Sequence, residues 1–373
     1  PLNLNNDVYI DIEASSEDRA SANHAFTTAA YSLLEYKSPE QKFGAELGLR
    51  LDHLYFIGKD FTIQTIPAFN PRLNIDINIM KNKGFIDLFN VTAGTGFFSS
   101  LTESLANLRS ADGIDDYELK QNRSFTSLVG TKITFLDKWS FNIEGYYKHI
   151  YNRAYYINYV DSNMVRQVDY LFDGQGRVWG FDFILQKMES RFVDGWISYT
   201  YSHARYLNPL MVDREGRIFE GSWRYPNFHR FHNLNLVLNL KPSRRTNIGV
   251  RFGYASGTPL SVPGQIEPHP VLVVRPSETF FIQKYKRQTY YSETRRNGFA
   301  LPLDIKLSFF SFTKAGKTQG EVYIAVENTL SFLKTREKNT TFNEYTGVEV
   351  EGSDTASYQM PVPMISFGFT WSY

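Results

Sequence analysis

Apolar and polar side chains change places at every second residue over much of this chain, the period of a strand with one greasy and one wet face. Val8, Ile10 and Ile12 alternate with Tyr9, Asp11 and Glu13, and Phe43, Ala45, Leu47, Leu49 and Leu51 oppose Gly44, Glu46, Gly48, Arg50 and Asp52. Leu73, Ile75, Ile77 and Ile79 point away from Arg72, Asn74, Asp76 and Asn78, and Leu234, Leu236, Leu238 and Leu240 away from Asn233, Asn235 and Asn239. Leu301, Leu303, Ile305, Leu307 and Phe309 repeat the pattern against Asp304, Lys306 and Ser308. The alternation predicts about fourteen strands, and no helical stripe of comparable strength competes with it. The last residues carry it furthest: Ile365, Phe367, Phe369, Trp371 and Tyr373 fall on one face, Ser366, Gly368, Thr370 and Ser372 on the other. A terminal strand with five bulky apolar groups must be covered or it recruits another chain, and in a bilayer the cover is lipid.

The links between strands come in two kinds. Short, turn-rich links fall at 38–41, 82–84, 136–138, 193–195, 242–245 and 313–319, and long ones at 15–21, 58–68, 100–116, 152–176, 207–228, 262–297 and 334–359. The kinds alternate, so up-and-down antiparallel connection puts every tight turn at one end and every long loop at the other. An all-β transmembrane antiparallel barrel has this asymmetry. A soluble antiparallel sandwich is the alternative, its apolar faces turned to a core instead of to lipid. Long strands, alternating loops and the aromatic terminus favour the barrel, and the cost of a lipid-facing cation, about 2 to 4 kcal/mol at mid-membrane, then turns Arg50, Arg251 and Lys306 toward the lumen.

Composition narrows the chemistry. No run of the 373 residues approaches the roughly 18 apolar residues of a membrane helix, whereas aromatics reach 16%, which suits sheets and interfacial girdles. There is no cysteine, hence no disulfide framework or thiolate metal site. A net charge of +1 argues against a nucleic-acid binder. The chain opens on Pro1 and a polar stretch without a signal sequence, the expectation for a processed chain or an excised fragment.

Ordered short pieces along the whole length resemble the TonB-dependent outer-membrane receptor family: Asn70-Pro71-Arg72-Leu73, Glu144-Gly145-Tyr146-Tyr147-Lys148, Gly180-Phe181-Asp182, Gly195-Trp196 to Ser202, Arg230-Phe231-His232-Asn233, Gly253-Tyr254 to Pro259, Val326-Glu327-Asn328 and the Phe367 to Tyr373 ending. The resemblance implies the C-terminal part of a barrel of about 22 strands spanning residues 1–373, without the plug domain that contacts TonB. It also implies uptake of a scarce ligand such as a siderophore, cofactor, oligosaccharide or peptide, an integral place in the outer membrane of Gram-negative type, and insertion by the outer-membrane assembly machinery. A complete smaller passive channel and a secreted all-β binding protein are the competing readings.

Candidate residues fall into three groups. Arg275, Lys284, Tyr285, Lys286, Arg287, Tyr290 and Tyr291, in the link 262–297, interleave cations with aromatics and could hold an anionic, aromatic or sugar-like ligand; a solvated loop with ordinary charges is the plainer reading. Arg50, Glu144, Asp182, Arg251, Asp304, Lys306 and Glu327 are expected to line the lumen as ion pairs. Phe367, Phe369, Trp371 and Tyr373 are expected to serve membrane insertion, either as lipid anchors or through strand capture during assembly. No cofactor or metal is expected: His229 and His232, three apart on a regular strand, would point to opposite faces. Gly174 to Gly176 lacks the helix and Lys-Ser/Thr pair of a phosphate loop, and no serine sits in a nucleophile turn, so nothing favours an enzyme.

Overall fold

A computed structural model describes residues 9–10, 24–57, 62–64, 67–100, 120–160, 166–212, 218–274, 279–312, 318–330, 340–351 and 363–371. A two-residue β1 (Tyr9–Ile10) is followed by β2 (His24–Lys37), β3 (Phe43–Ile57), the short β4 (Thr62–Gln64), β5 (Ala68–Lys83), β6 (Ile86–Ser100) and β7 (Asn122–Phe135). Next come β8 (Trp139–Val160), β9 (Arg166–Lys187), β10 (Val193–Leu207) and two three-residue strands, β11 (Leu210–Val212) and β12 (Ile218–Glu220). The chain continues through β13 (His232–Ser243), β14 (Thr246–Ala255), β15 (Pro259–Val274), β16 (Thr279–Arg296), β17 (Leu303–Phe312) and β18 (Thr318–Glu327). The short β19 (Thr340–Phe342) and β20 (Glu349–Glu351) precede β21 (Met364–Trp371).

One antiparallel sheet takes the long strands in chain order, β2-β3-β5-β6-β7-β8-β9-β10-β13-β14-β17-β18-β21, with β4 added to β3. Neighbours in the sheet are therefore neighbours in sequence, the up-and-down order expected from the link lengths. Within the apolar band register keeps the two faces apart from strand to strand. Ile197 lies opposite Leu236, Leu236 opposite Phe252, Val250 opposite Ile305, and Ile324 opposite Phe367, all on the apolar side. A slip of one residue would move each stripe to the other face, so the alternation itself selects this register.

Among the described residues nothing is packed on the apolar face. Phe367 is 84% exposed and Ile305 38%, and Leu236 is half-buried, so no dry layer encloses them. Among the described residues no second large sheet stacks on the first, which removes the sandwich reading. The buried apolar side chains with bulk, Tyr155, Ile157 and Phe172, lie instead in the distal halves of β8 and β9. At the edges, no ladder joins β2 to β21 among the described residues.

Several expectations need correction. The residues 193–195 are not a turn but the start of β10, the turn lying at 188–192. The links 152–176 and 262–297 are largely strand: β8 and β9 run 22 residues each, and β15 pairs with β16 in a long hairpin outside the main sheet. Register shifts between Ile150 and Arg153 and between Arg153 and Tyr155, with Asn152 at φ 56°, break the alternation by which the distal β8 could be recognised. Prolines at 263, 268 and 270 do the same in β15. Of the Val8 to Ile12 pattern the described residues are Tyr9 and Ile10, and they pair in parallel with Val271 and Leu272 of β15, outside the main sheet. His229 lies ahead of β13 and not on a regular strand, so the opposite-face argument made for it does not apply.

Candidate functional site

The rows of the outward apolar face can be followed across β8, β9 and β10. From the tight-turn end, Trp139, Lys187 and Gly195 make one row, then Phe141, Leu185 and Ile197, then Ile143, Phe183 and Tyr199, then Gly145, Phe181 and Tyr201, then Tyr147, Trp179 and His203. Aromatics bracket the band. At the turn end Trp139 stacks on Phe135 with centroids 6.2 Å apart, and the Lys187 ammonium lies 5.2 Å from the Trp139 ring. At the loop end Trp179 stacks on His203 at 5.2 Å. From Trp139 to Tyr147 is about nine residues, the span a tilted strand needs to cross a hydrocarbon core.

All seven residues expected to line a lumen share the other face, as register shows when followed from strand to strand. Several find polar partners there. Lys306 Nζ lies 2.9 Å from Glu321 Oε1, and Arg251 Nη1 3.6 Å from Asp304 Oδ2. Arg50 Nε donates to Asp52 Oδ1 at 2.8 Å, and Asp304 Oδ1 accepts from the Asn328 amide at 2.8 Å. Glu144 stands directly opposite Asp182, whose Oδ1 accepts from Thr200 Oγ1 at 2.6 Å. Glu327 lies across from Met364. Toward the turn end, a cleft of about 570 Å³ opens between β2 and β7, lined by Glu46, Asn74, Asp76, Asn78, Asn90 and Thr92.

At the loop end, the hairpin of β15 and β16 leaves the sheet between β14 and β17. It is mounted at its base by Arg296, whose Nη1 donates to the carbonyls of His229 at 3.2 Å and Gly257 at 3.1 Å. Arg296 Nη2 lies 3.1 Å from His229 Nδ1, and its guanidinium rests 4.2 Å above Phe231. His229 is 3% exposed, and its Nε2 donates to the Ser202 carbonyl at 3.1 Å. Nδ1 therefore accepts from Arg296 and the ring is neutral. Burial first, and the neighbouring Arg296 charge second, hold its pKa down to about 4. Further along, the Tyr285 amide donates to the Glu344 carbonyl at 2.7 Å, Lys284 Nζ lies 3.5 Å from Glu344 Oε2 and 5.2 Å from the Tyr345 ring, and Tyr285 packs against Gly347. Gly347 has φ 68°, and any Cβ there would meet the Tyr285 ring at 2.6 Å.

Of the ligand candidates, Lys284 and Tyr285 thus meet the turn between β19 and β20. Lys286, Arg287, Tyr290 and Tyr291 lie on β16 across from Glu267, Ile266, Val262 and Ser261, their side chains outside the described residues; Arg275 and Tyr373 also lie outside them. Phe367, Phe369 and Trp371 are exposed along the edge strand β21. The mount of Arg296 and His229 was not foreseen, since 67 residues separate the pair and neither stands in a motif. Among the described residues no group of three acidic or imidazole side chains could hold a metal.

No family model and no curated protein matches the sequence. Solved structures do match the fold. The P. aeruginosa receptor FpvA, bound to heterologous pyoverdines, superimposes with a TM-score of 0.59 at 12% identity, over 94% of this chain and 39% of that one. The FrpB iron transporter of Neisseria meningitidis gives 0.54 at 13%, over 83% and 41%. The siderophore receptor PiuA of Acinetobacter baumannii gives 0.54 at 17%, over 88% and 42%. The chain thus spans about two fifths of the length of these proteins. At such identities the likeness shows the fold alone: the up-and-down sheet of this chain is similar to about two fifths of these receptor and transporter structures.

Proposed function

We propose that this chain is part of the barrel of an outer-membrane receptor that takes up a scarce ligand with energy supplied through TonB. The observation that carries the reading is the uncovered apolar face, banded by aromatics, backed by an ion-paired polar face on the same strands. Only lipid on one side and water on the other satisfy both faces of a single sheet. The polar face lines the lumen, where a plug would seat against Glu144, Asp182 and the pairs around Arg251 and Lys306. Edge groups on β2 and β21 need partners in hydrocarbon, and further strands of the same barrel supply them.

The hairpin of β15 and β16 is the ligand-capturing element. Its interleaved cations and aromatics suit an anionic chelate, and the neighbouring structures named for iron, siderophores and pyoverdine make a ferric chelate the first ligand to test. Residues Phe367, Phe369, Trp371 and Tyr373 present the last strand to the assembly machinery. The test is uptake of radiolabelled ferric chelates by iron-starved cells producing the intact protein, with and without the TonB system. Uptake that needs both supports the proposal; uptake indifferent to TonB would leave a passive channel.

A further inference from the structure

The hairpin of β5 and β6 is joined at its turn and parted at its loop end. Backbone pairing runs from Lys83 opposite Ile86 up to Arg72 opposite Gly96 and stops there, although β5 continues through 68–71 and β6 through 97–100. Each keeps its other neighbour, Phe69 pairing with Leu51 of β3 and Ser99 with Arg123 of β7. Pro71 is the cause. The Asn78 amide donates to the Lys42 carbonyl on the β3 side, so alternation turns the nitrogen of residue 71 toward β6, where proline has no N–H to give. Side chains fill the parting instead. Asn70 Nδ2 donates to Asp52 Oδ2 at 2.8 Å and to Ser99 Oγ at 2.7 Å, Gln121 Nε2 to the Asp52 carbonyl at 3.1 Å, and Arg123 Nη2 to the Phe69 carbonyl at 2.6 Å. Asn70 is fully buried and Asp52 nearly so, yet Asn70 Oδ1 and Arg72 Nε lie buried there without a hydrogen-bond partner among the described residues. Apolar rings flank the parting: Phe69 is 52% exposed on the outward face, and Phe98 is 37% exposed with the Arg72 guanidinium 4.3 Å from its centre.

A wall held by a few side chains opens more readily than one held by a backbone ladder, and the two unpartnered atoms favour opening further. The parting begins beside the loop-end aromatics, since Gly96 pairs with Thr126, next to the row of Ser127 and Tyr147, and such rings mark headgroup depth. We propose that β5 and β6 form a lateral port for a lipid-tailed chelate, whose polar head passes Phe69 and Phe98 into the lumen while its acyl tail stays in the outer leaflet. The proposal rests on the uptake reading above and names the class of ligand within it. A slot open toward the loop end suits such a ligand, because a tail drawn over the barrel rim would lose about fourfold in affinity for every methylene brought into water.

The test is uptake of a radiolabelled ferric tris-catecholate, with and without a myristoyl tail, by iron-starved cells producing the intact protein as wild type, as Asn70→Cys with Ser99→Cys, or as Pro71→Ala. The cysteine pair replaces two side chains that already meet and staples β5 to β6 in a chain that has no cysteine of its own. Pro71→Ala returns the missing N–H, lets the ladder continue, and stands in if the staple does not close. Oxidised, the pair should take up the tailed chelate at least about tenfold less than after reduction with an impermeant phosphine, with uptake of the tail-less chelate unaffected, and Pro71→Ala should show the same selective loss. Equal uptake of the tailed chelate by wild type, the oxidised pair and Pro71→Ala, equal loss of both chelates, or exclusion of the tailed chelate by a wild type that takes up the other would overturn the port and leave the uptake reading standing. A wild type that takes up neither chelate would remove that reading, and the port with it. Heat-modifiable gel mobility is followed in each sample: its presence throughout shows that lost uptake is not lost folding.

Discussion

His229 shows how a single side chain can govern a distant element. Its neutral ring accepts from Arg296, the residue that closes the hairpin of β15 and β16, and donates to Ser202 on β10. A protonated ring would turn an N–H toward the guanidinium. The folded pKa of about 4 lies below the ordinary 6.5, so the unfolded chain binds more protons in between. The contribution is full above pH 6.5 and is lost as the pH falls toward 4; a gap of that size is worth on the order of 3 kcal/mol. Amide exchange at Asn297 and Ser256, which bond Thr258 and His232 at the hairpin base, should therefore accelerate beyond its chemical rate across that window. His229→Gln should abolish the pH dependence, and an unchanged profile would show that the mount does not depend on this ring. At the other contact of the hairpin, Lys284→Ser together with Lys286→Ser and Arg287→Ser should weaken binding of an anionic ferric chelate about tenfold or more, given about 1.5 to 3 kcal/mol for a charge-assisted contact. Isothermal titration against the same chelate would measure it, and unchanged affinity would discard the hairpin as the capturing element.

Elements of the sheet differ in how openly they announce themselves. β13 could be recognised from four leucines alternating with asparagine, and its register against β10 and β14 follows from the same pattern. The distal parts of β8 and β9 could not, because bulges displace the alternation where the strands leave the apolar band. The two faces of β13 also make opposite predictions. Leu236→Lys puts a charge on the outward face and should cost about 2 to 4 kcal/mol in a urea-unfolding titration in lipid. Asn235→Lys, next to it on the polar face, should stay within about 0.5 kcal/mol. Equal costs would mean that the faces are assigned wrongly.

For the whole molecule, the exposed edge of β21 sets a prediction of its own. Phe369→Ser with Trp371→Ser removes two outward aromatics that touch little within the chain, so the folded protein should lose little while its assembly into membranes falls several-fold. Pulse-chase recovery of the heat-modifiable form would reveal the deficit; normal recovery would make these rings lipid anchors and nothing more. The alternation, the two classes of link and the aromatic ending were enough to determine an up-and-down sheet with one greasy and one polar face, because side-chain direction along a strand depends only on residue parity. Which of those residues meet was decided by the tertiary structure. Arg177 comes to face Arg205, Arg296 reaches His229, and Lys284 reaches Glu344 only through pairings between segments far apart in the chain. Those pairings depend on register, bulges and the return path of each hairpin, quantities set by the sum of backbone and packing contacts across the sheet and carried by no single stretch of sequence.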